Sequence, residues 1–246
     1  MVSVGVRRVI MASALAVFSL LVLDAMMSMS IDPGVSRVYN TVGVKVAKNM
    51  VTAILFDFRG YDTLGEAIIL VTGVLAVSLL FGRGLLSGDV HEDADDELRE
   101  SLVLRTYAPL LASLVVVLGV FVTLGGHITP GGGFQGGSII ASGMLLTLVV
   151  CGRGAVKISH PTLVKMEAAG VLLYLTLGIL GLLSSGYFLY NLGVDLYGIV
   201  SPDMASIFNY PDGVDAGIVP YLNIAVLIKV SAGLTTVMLV LLGGKR

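Results

Sequence analysis

The stretch "NIAVLIKVSAGLTTVMLVLL", residues 223–242, decides the fold class, because its only charged residue is Lys229. A run of about 20 apolar residues is long enough to cross a bilayer as a helix. The whole 246-residue chain has the same character, with 56% hydrophobic and 13% charged residues and a mean hydropathy of +0.95. A soluble domain carries about 25% charged residues. The composition therefore predicts an integral membrane protein and excludes a soluble globular domain.

Several classes of function are excluded by the same composition. The chain has one cysteine, Cys151, so a disulfide framework is excluded. No group of Cys, His and acidic residues has the spacing of metal ligands, so we expect no metal and no cofactor in this chain. The formal net charge of −2 gives no reason to expect nucleic acid as a partner.

Apolar stretches along the chain predict an all-α membrane protein with about six transmembrane helices. Lysine and arginine concentrate in the segments that would lie inside if the N-terminus is cytoplasmic, so both termini are predicted to be cytoplasmic. The segment 42–56 could be a seventh span, but Lys45 and Lys48 favour an amphipathic helix on the membrane surface. The six predicted spans are approximately 9–29, 64–81, 104–124, 134–151, 168–187 and 219–242.

An acidic run divides the chain into two modules. The stretch "SGDVHEDADDELRE", residues 87–100, is typical of a solvated connection between folded parts. It predicts a two-span module over residues 1–88, an acidic linker over 89–100, and a four-span module over 101–246.

The second predicted span opens with an acid at membrane depth. In "DTLGE", residues 62–66, Thr63 and Glu66 have the spacing of a capping box, in which each side chain satisfies a free backbone N–H. Glu66 could also be a ligand for an ion or a proton, and the two interpretations are compatible. Asp57, Arg59 and Asp62 are expected to order the preceding loop by local pairing.

Lys229 is the strongest functional signal, because it lies near the middle of the last span and cannot easily reach either surface. An ammonium there needs a carboxylate, carbonyl groups or water. It indicates a proton-relay residue or a fixed charge that controls a neighbouring carboxylate; the alternative is a structural ion pair with another subunit. Asp24 and Glu167 are the acids most easily placed near membrane depth, although both lie close to predicted span ends, where snorkelling or capping is simpler.

A glycine-rich interruption, "GGHITPGGGFQGGSII" at residues 125–140, separates two apolar stretches. It lacks the Gly-Lys-Ser/Thr of a phosphate-binding loop and the strand that precedes a dinucleotide fingerprint. Pro130 ends one helix, and the glycines either allow close helix packing or present backbone groups to an ion or water. His127 could titrate at a cavity mouth, although a lone histidine is more often structural.

These residues carry a family resemblance in two parts. "HITPGGGFQGGSIIASGMLL" at 127–146 and "NIAVLIKVSAGL" at 223–234 resemble the B subunit of Mrp-type multisubunit sodium/proton antiporters, over residues 101–246. "VTAILFDFRGYDTLGEAIILVTGVLAV" at 51–77 is similar to the C-terminal end of the Mrp A subunit, which is a separate small subunit in archaeal membrane-bound hydrogenase-type complexes. Both in one chain indicate a fusion of two neighbouring subunits.

The resemblance implies a non-catalytic subunit of the plasma membrane that helps to form a sodium or proton path. Its partners would be large antiporter-like subunits, small C-, E-, F- and G-like subunits, lipid, and hydrogenase-like peripheral subunits. Glu66 and Lys229 are then hypothesised to be a titrating pair beside the glycine-rich entrance. The motif residues carried over by position are His127, Pro130, Gly131, Gly132, Gly133, Phe134, Gln135, Gly136 and Gly137.

The type of complex stays open at this point. The fusion, together with a low content of glutamine and asparagine, favours an archaeal redox-driven complex, hydrogenase-like or sulfur-reducing. The alternatives are a free-standing Mrp antiporter, a purely structural scaffold between antiporter-like subunits, and a stand-alone channel.

Overall fold

The computed structural model describes residues 4–29, 34–82, 101–152, 155–208 and 215–242. Over these residues the chain is helical and contains no β-strand, which confirms the predicted all-α class. The helices are α1 (Val4–Ser28), α2 (Gly34–Val46), α3 (Met50–Ala53), a π-helix (Ile54–Phe58), α4 (Gly60–Gly82), α5 (Leu102–Leu124), α6 (Gly133–Cys151), α7 (His160–Ser185), α8 (Pro202–Ile207) and α9 (Val219–Leu242).

Five of the described helices, α4, α5, α6, α7 and α9, are long and apolar enough to cross a membrane. A sixth apolar stretch, Ala12–Ser28 in α1, is shorter. The predicted span at 168–187 is wrong at its start, because α7 begins at His160. Ser159 caps that helix by accepting a hydrogen bond from Thr162 N at 3.4 Å, and Pro161 occupies its first turn, a typical helix start. The side of the membrane on which each terminus lies stays a prediction.

The segment 42–56 is not one continuous helix. Helix α2 ends at Val46, and Asn49 starts the short α3 by accepting a hydrogen bond from Val51 N at 3.2 Å. Asn49 Nδ2 also donates to Gly126 O at 2.7 Å, which ties this break to the glycine-rich loop. Apolar and polar residues lie on opposite faces of α2, as expected for an amphipathic helix.

The chain divides into two compact units, residues 1–37 and 38–246. The first unit contains α1, with Asp24 near its C-terminal end, and the start of α2. The second unit contains the remaining described helices. The predicted acidic linker at 89–100 and the boundary at residue 88 lie outside the described residues. Helix α4, from the predicted first module, packs against α9 from the predicted second module.

Helix α9 is the centre of the second unit, where α4, α6 and α7 pack around it. Glycines allow these helices to approach closely. A Cβ added at Gly137 on α6 would lie 2.7 Å from Val230 Cβ, and one at Gly170 on α7 would lie 2.7 Å from Ala225 O. Small residues at such contacts are how membrane helices pack without a hydrophobic driving force. The close packing of α6 and α7 places their polar residues directly against α9.

Candidate functional site

Lys229 lies inside the helix bundle with 1% of its surface exposed. Its position in the middle of α9 follows from the apolar run on both sides, and the packing of α4 and α7 covers its side chain. Lys229 Nζ is buried and makes no hydrogen bond with any described residue. The lysine therefore points neither at lipid nor at bulk solvent.

Glu167 on α7 is the charge that faces Lys229. The two groups attract each other electrostatically, and Glu167 is 6% exposed. Glu167 Oε1 is buried without a hydrogen bond to a described residue and lies against Gly233, one turn after Lys229 on α9. Because α7 begins at His160, Glu167 lies about two turns inside the helix. The interpretation of Glu167 as an acid at a span end is therefore wrong, since the true start of α7 is earlier.

A small cavity of about 10 Å³ touches Lys229. A space of this size holds about one water molecule. Its lining residues are Leu64, Ala67, Gly170, Val171, Tyr174, Ala225, Val226 and Lys229. Tyr174 also donates a hydrogen bond to Gly60 O at 2.8 Å, which fixes the start of α4 against α7.

Glu66 lines a second, larger cavity of about 160 Å³, which we call the glycine cavity. The Glu66 side chain is exposed at its edge. The glycine cavity is therefore large enough for several water molecules, whereas the cavity beside Lys229 holds about one. Lys229 does not line it, so the structure does not bring the hypothesised pair of Glu66 and Lys229 into one cavity. The lining residues are Thr52, Leu55, Phe56, Thr63, Glu66, Gly131, Gly132, Gly133, Phe134, Gln135 and Asn223.

The capping box predicted at Thr63 and Glu66 is wrong. Helix α4 begins at Gly60, directly after the π-helix, so Thr63 is already inside the helix. Its hydroxyl donates to Leu55 O at 2.8 Å instead of capping a free N–H. The carbonyl of Leu55 belongs to the π-helix, where the hydrogen-bond pattern is shifted by one residue.

Asn223 joins the glycine cavity to α9 and was missed by sequence reasoning. Its Oδ1 accepts a hydrogen bond from Gly133 N at 2.9 Å, and its Nδ2 is buried without a described hydrogen-bond partner. At 1.5 Å per residue, Asn223 precedes Lys229 by about 9 Å and Gly233 by about 15 Å along α9. The signal that could have found it is an amide inside an otherwise apolar span.

The glycine-rich motif serves close helix packing, one of its two predicted purposes; presentation of backbone groups to an ion or water stays a prediction. Gly133, Gly136 and Gly137 lie at close helix contacts, whereas the backbone before them is held by α3. Thr52 Oγ1 donates to Gly126 O at 2.7 Å, and the carbonyl of buried His127 accepts from Asn49 N at 3.0 Å. Of the other motif residues, Pro130 and Gln135 are exposed and Phe134 packs against the core.

The loop acids before α4 behave differently from one another. Arg59 forms an ion pair with Asp62, which confirms the expected local pairing for these two residues. Asp57 instead turns towards Asn191, in the segment that follows α7. Burial raises the pKa of Asp57 to about 6, and the hydrogen bond from Asn191 opposes that rise.

Asp57 lines a third cavity of about 530 Å³, larger than the glycine cavity, which we call the outer cavity. Behind it, Tyr190 donates to Asp195 Oδ1, and Val200 N donates to Asp195 Oδ2 at 2.8 Å. Burial raises the pKa of Tyr190 to about 12, and the neighbouring Asp195 adds to that rise. The lining residues are Val42, Asp57, Phe58, Tyr187, Phe188, Leu189, Tyr190, Asn191, Val194, Leu196, Tyr197 and Ile199.

Comparison with protein families gives two matches. Residues 103–236 match a domain described as related to the MnhB subunit of a Na⁺/H⁺ antiporter, and residues 4–85 match the MbhE family of MBH subunits. A relative from Methanocaldococcus jannaschii, the uncharacterized protein MJ1307, is 38% identical over 244 residues, which is 94% of this chain and 90% of the relative.

Two solved structures share the fold. The Mrp complex from Dietzia sp. DQ12-45-1b has a chain that matches with a TM-score of 0.73 at 26% identity; the match covers 100% of this chain and 27% of that chain. A chain of the membrane-bound sulfane sulfur reductase, an archaeal respiratory membrane complex, matches with a TM-score of 0.67 at 24% identity, covering 96% of this chain and 98% of that chain.

Proposed function

The chain belongs to the family defined by the MnhB-related domain of Na⁺/H⁺ antiporters, and from this premise we propose that Lys229 and Glu167 carry part of a sodium or proton path. It is a multi-pass membrane subunit of an Mrp-type module, and other membrane subunits of such a module are its partners. Its family is a component of a transporter. We propose that the chain is non-catalytic and holds no cofactor, with Na⁺ or H⁺ as the transported ion.

The observation that supports this proposal is a pair of opposite charges buried in the bundle without a direct hydrogen bond on Lys229 Nζ or Glu167 Oε1. A buried ion pair that serves only as structure offsets its desolvation by close geometry and by further hydrogen bonds. This pair lacks those bonds. A proton, a cation or a water molecule can therefore exchange at either group without first breaking a tight contact.

The polar groups follow one another along the length of α9, on different faces of the helix, which gives the path a direction. Glu66 and Asn223 lie at the glycine cavity, Lys229 lies about 9 Å further along the helix, and Glu167 lies about one turn beyond Lys229. Non-helical backbone at membrane depth, such as the glycine-rich loop, is tolerated where it lines a wet cavity. We infer that ions or protons enter at the glycine cavity and pass the buried pair.

Charge balance couples the two groups. With Glu167 ionised, the ammonium of Lys229 is neutralised, and the interior carries little net charge. If a proton or a cation binds at Glu167, the ammonium is left unbalanced in a medium of low dielectric constant, which favours release of its proton. Binding at one group therefore promotes release at the other, as an exchange reaction requires.

The complex that best accommodates this chain is an archaeal redox-driven one, hydrogenase-like or sulfur-reducing. The match of residues 4–85 to the MbhE family supports that assignment, because it adds a second type of subunit to the B-like domain. The archaeal relative of nearly equal length supports the same fused arrangement. A free-standing Mrp antiporter is the alternative.

The test uses the intact complex in vesicles, with sodium/proton exchange as the readout and subunit recovery as the measure of assembly. Lys229→Ala and Glu167→Gln are each expected to assemble and to lose exchange by tenfold or more, about 1.4 kcal/mol or more of barrier. Lys165→Ala, an exposed lysine on the same helix as Glu167, is the matched control and should leave exchange unchanged.

The double variant Lys229→Met/Glu167→Gln separates transport from scaffolding, because it removes both charges together and leaves no unpaired ion. We expect it to assemble at wild-type levels without exchange. If the single variants fail to assemble and the double variant regains both assembly and exchange, the pair is structural and the chain is a scaffold. Unchanged exchange in both single variants would also reject the proposal.

A further inference from the structure

The outer cavity has a size and a chemistry that the proposed path does not use. Its volume of about 530 Å³ is enough for a monovalent cation that keeps its shell of water. Aromatic and aliphatic side chains form most of its wall, and Asp57 is the one carboxylate among the lining residues that the structure describes. A concave site with a single charged group attracts the opposite charge more strongly than an open surface does.

The charge of Asp57 is not neutralised by a cation of the described chain. Arg59, two residues further on, is held by Asp62. Among the residues that the structure describes, no lysine or arginine lines the outer cavity, and Lys45 on α2 is exposed and outside the lining. Asn191 supplies a hydrogen bond but no charge. The carboxylate therefore keeps a net negative charge that a cation can balance.

The residues around Asp57 are held in place by hydrogen bonds within the chain. Buried Asn191 is fixed on both sides, since its Oδ1 accepts from Ile218 N at 3.0 Å and its Nδ2 donates to Ala216 O at 3.3 Å. Leu189 has a φ of 61°, a conformation that bulky residues rarely adopt, and its N–H donates to Gly178 O at 3.2 Å. A site held in this way needs little rearrangement to bind an ion.

The π-helix separates the outer cavity from the glycine cavity. Asp57 and Phe58 line the outer cavity, whereas Leu55 and Phe56 line the glycine cavity. One short element thus presents a carboxylate to one cavity and forms the wall of the other, which contains Glu66. Single turns of π-helix occur frequently at functional sites.

We propose that the outer cavity is a vestibule that collects hydrated monovalent cations, with Asp57 as the carboxylate that binds them before they reach the glycine cavity. This inference rests on the proposed function, because it assigns an entrance to the same path. It adds a binding step that changes the apparent affinity for the cation and leaves the later exchange at Lys229 and Glu167 intact.

Asp57 faces the vestibule and changes its charge near neutral pH, because burial raises its pKa to about 6. Burial raises the pKa of Tyr190 to about 12, so Tyr190 is neutral there. Burial raises the pKa of Asp195, but hydrogen bonds from Tyr190 and from backbone N–H groups outweigh this and lower it below its usual value. Cation collection should therefore weaken as the pH falls through about 6, where Asp57 takes up a proton.

The test measures the apparent KM for Na⁺ of sodium/proton exchange by the intact complex in vesicles. Asp57→Asn is expected to raise this KM by about tenfold, the lower end of what electrostatic focusing provides, with the maximal rate within about twofold of wild type. Asp203→Asn removes an exposed acid on α8 outside the cavity lining and should leave the KM unchanged. In wild type the KM should rise below about pH 6, and in Asp57→Asn it should not.

A second pair of variants does not disturb the buried carboxylate. Tyr197 lines the vestibule and is 75% exposed, so Tyr197→Lys and Tyr197→Glu should both fold. The lysine variant is expected to raise the KM for Na⁺ and the glutamate variant to lower it. An unchanged KM in Asp57→Asn and in both Tyr197 variants overturns the vestibule proposal. It does so even if Lys229→Ala abolishes exchange, a result that would support the proposed path on its own. An equal rise of the KM in Asp203→Asn also overturns the proposal, since general surface charge then explains the effect.

Discussion

Helices α4 and α9 are both apolar and long enough to span a membrane, but they differ in what surrounds them. Half of the apolar window of α9 is buried inside the chain, against 11% for α4. Each carries one ionisable group at depth. Lys229 on α9 finds its counter-charge on α7, whereas Glu66 on α4 is exposed beside Ile68 and Ile69.

The difference shows which ionisable group is enclosed by this subunit itself and which one must be covered by another protein of the complex. A carboxylate on a helix surface cannot face lipid hydrocarbon without a large cost. The α9 site is closed by its own chain, so its charges can be tested within the subunit. The α4 site is open, and we expect another membrane protein of the complex to cover Glu66 and the apolar residues around it.

The largest effect should follow from breaking the charge balance on the α9 side. Glu167→Ala leaves the Lys229 ammonium buried and unpaired, which costs about 3 to 5 kcal/mol of stability. The double variant Glu167→Ala/Lys229→Met should recover most of that loss, because no charge remains inside. Thermal inactivation of the detergent-solubilised complex measures both. Equal stability of wild type and Glu167→Ala would contradict the burial of the pair.

Glycine-to-alanine substitutions should also distinguish the tightly packed α9 from the open α4. Gly137→Ala places a Cβ against Val230 on α9, and overpacking of this kind costs about 1 to 3 kcal/mol. Gly73→Ala on α4 is the matched control, because a Cβ there meets no atom within 4 Å in the described chain. We expect a lower Tm for the first variant only. A lower Tm for Gly73→Ala would mean that α4 is already tightly packed in the complex.

Accessibility can show whether a neighbouring protein covers α4. A cysteine at Ile69, which is 73% exposed in this chain, should react rapidly with a small maleimide in the separately purified subunit and slowly in the intact complex. A cysteine at Ala225, which is buried in α9, should react slowly in both. These variants are made in a Cys151→Ser background. Rapid labelling at Ile69 in the intact complex would show that no other protein covers this side of α4.

A pH-dependent effect on stability is expected at Asp57. Its pKa is about 6 in the folded protein and about 3.8 in the unfolded chain, so the native state loses stability as the pH rises between these values. Asp57→Asn removes that cost. The variant should therefore show a higher Tm than wild type at pH 8 and a nearly equal Tm near pH 4, measured on the complex by differential scanning fluorimetry. A higher Tm at both pH values would indicate a cause other than ionisation.

Much of the fold could be predicted from the sequence, because long apolar runs determine membrane helices locally. The same runs made Lys229 conspicuous. Its partner was harder to identify, since the contact between residues 167 and 229 depends on how α7 packs against α9, and no local pattern encodes that. The start signal at Ser159 and Pro161 was present in the sequence and would have moved Glu167 away from the span end.

The π-helix could not be predicted, and two errors follow from it. Thr63 has the sequence of a cap, yet the helix already runs through it because the π-helix joins α4 without a loop. Asp57 lies two residues from Arg59 and was expected to help order the loop by local pairing. The wide turn directs it towards Asn191 instead, and only the three-dimensional path of residues 187–200 reveals the cavity there.

The five residues of the π-helix also constrain how this gene can change. Deleting one of them would close the wide turn into an ordinary α-helical turn, so the residues that remain between Asn49 and Gly60 would take new faces. Residues 55–58 could then no longer line the same two cavities, whatever side chains they carried. We therefore expect that, between Asn49 and Gly60, natural selection tolerates many substitutions but almost no insertions or deletions, so that the count of residues is inherited more strictly than their identity.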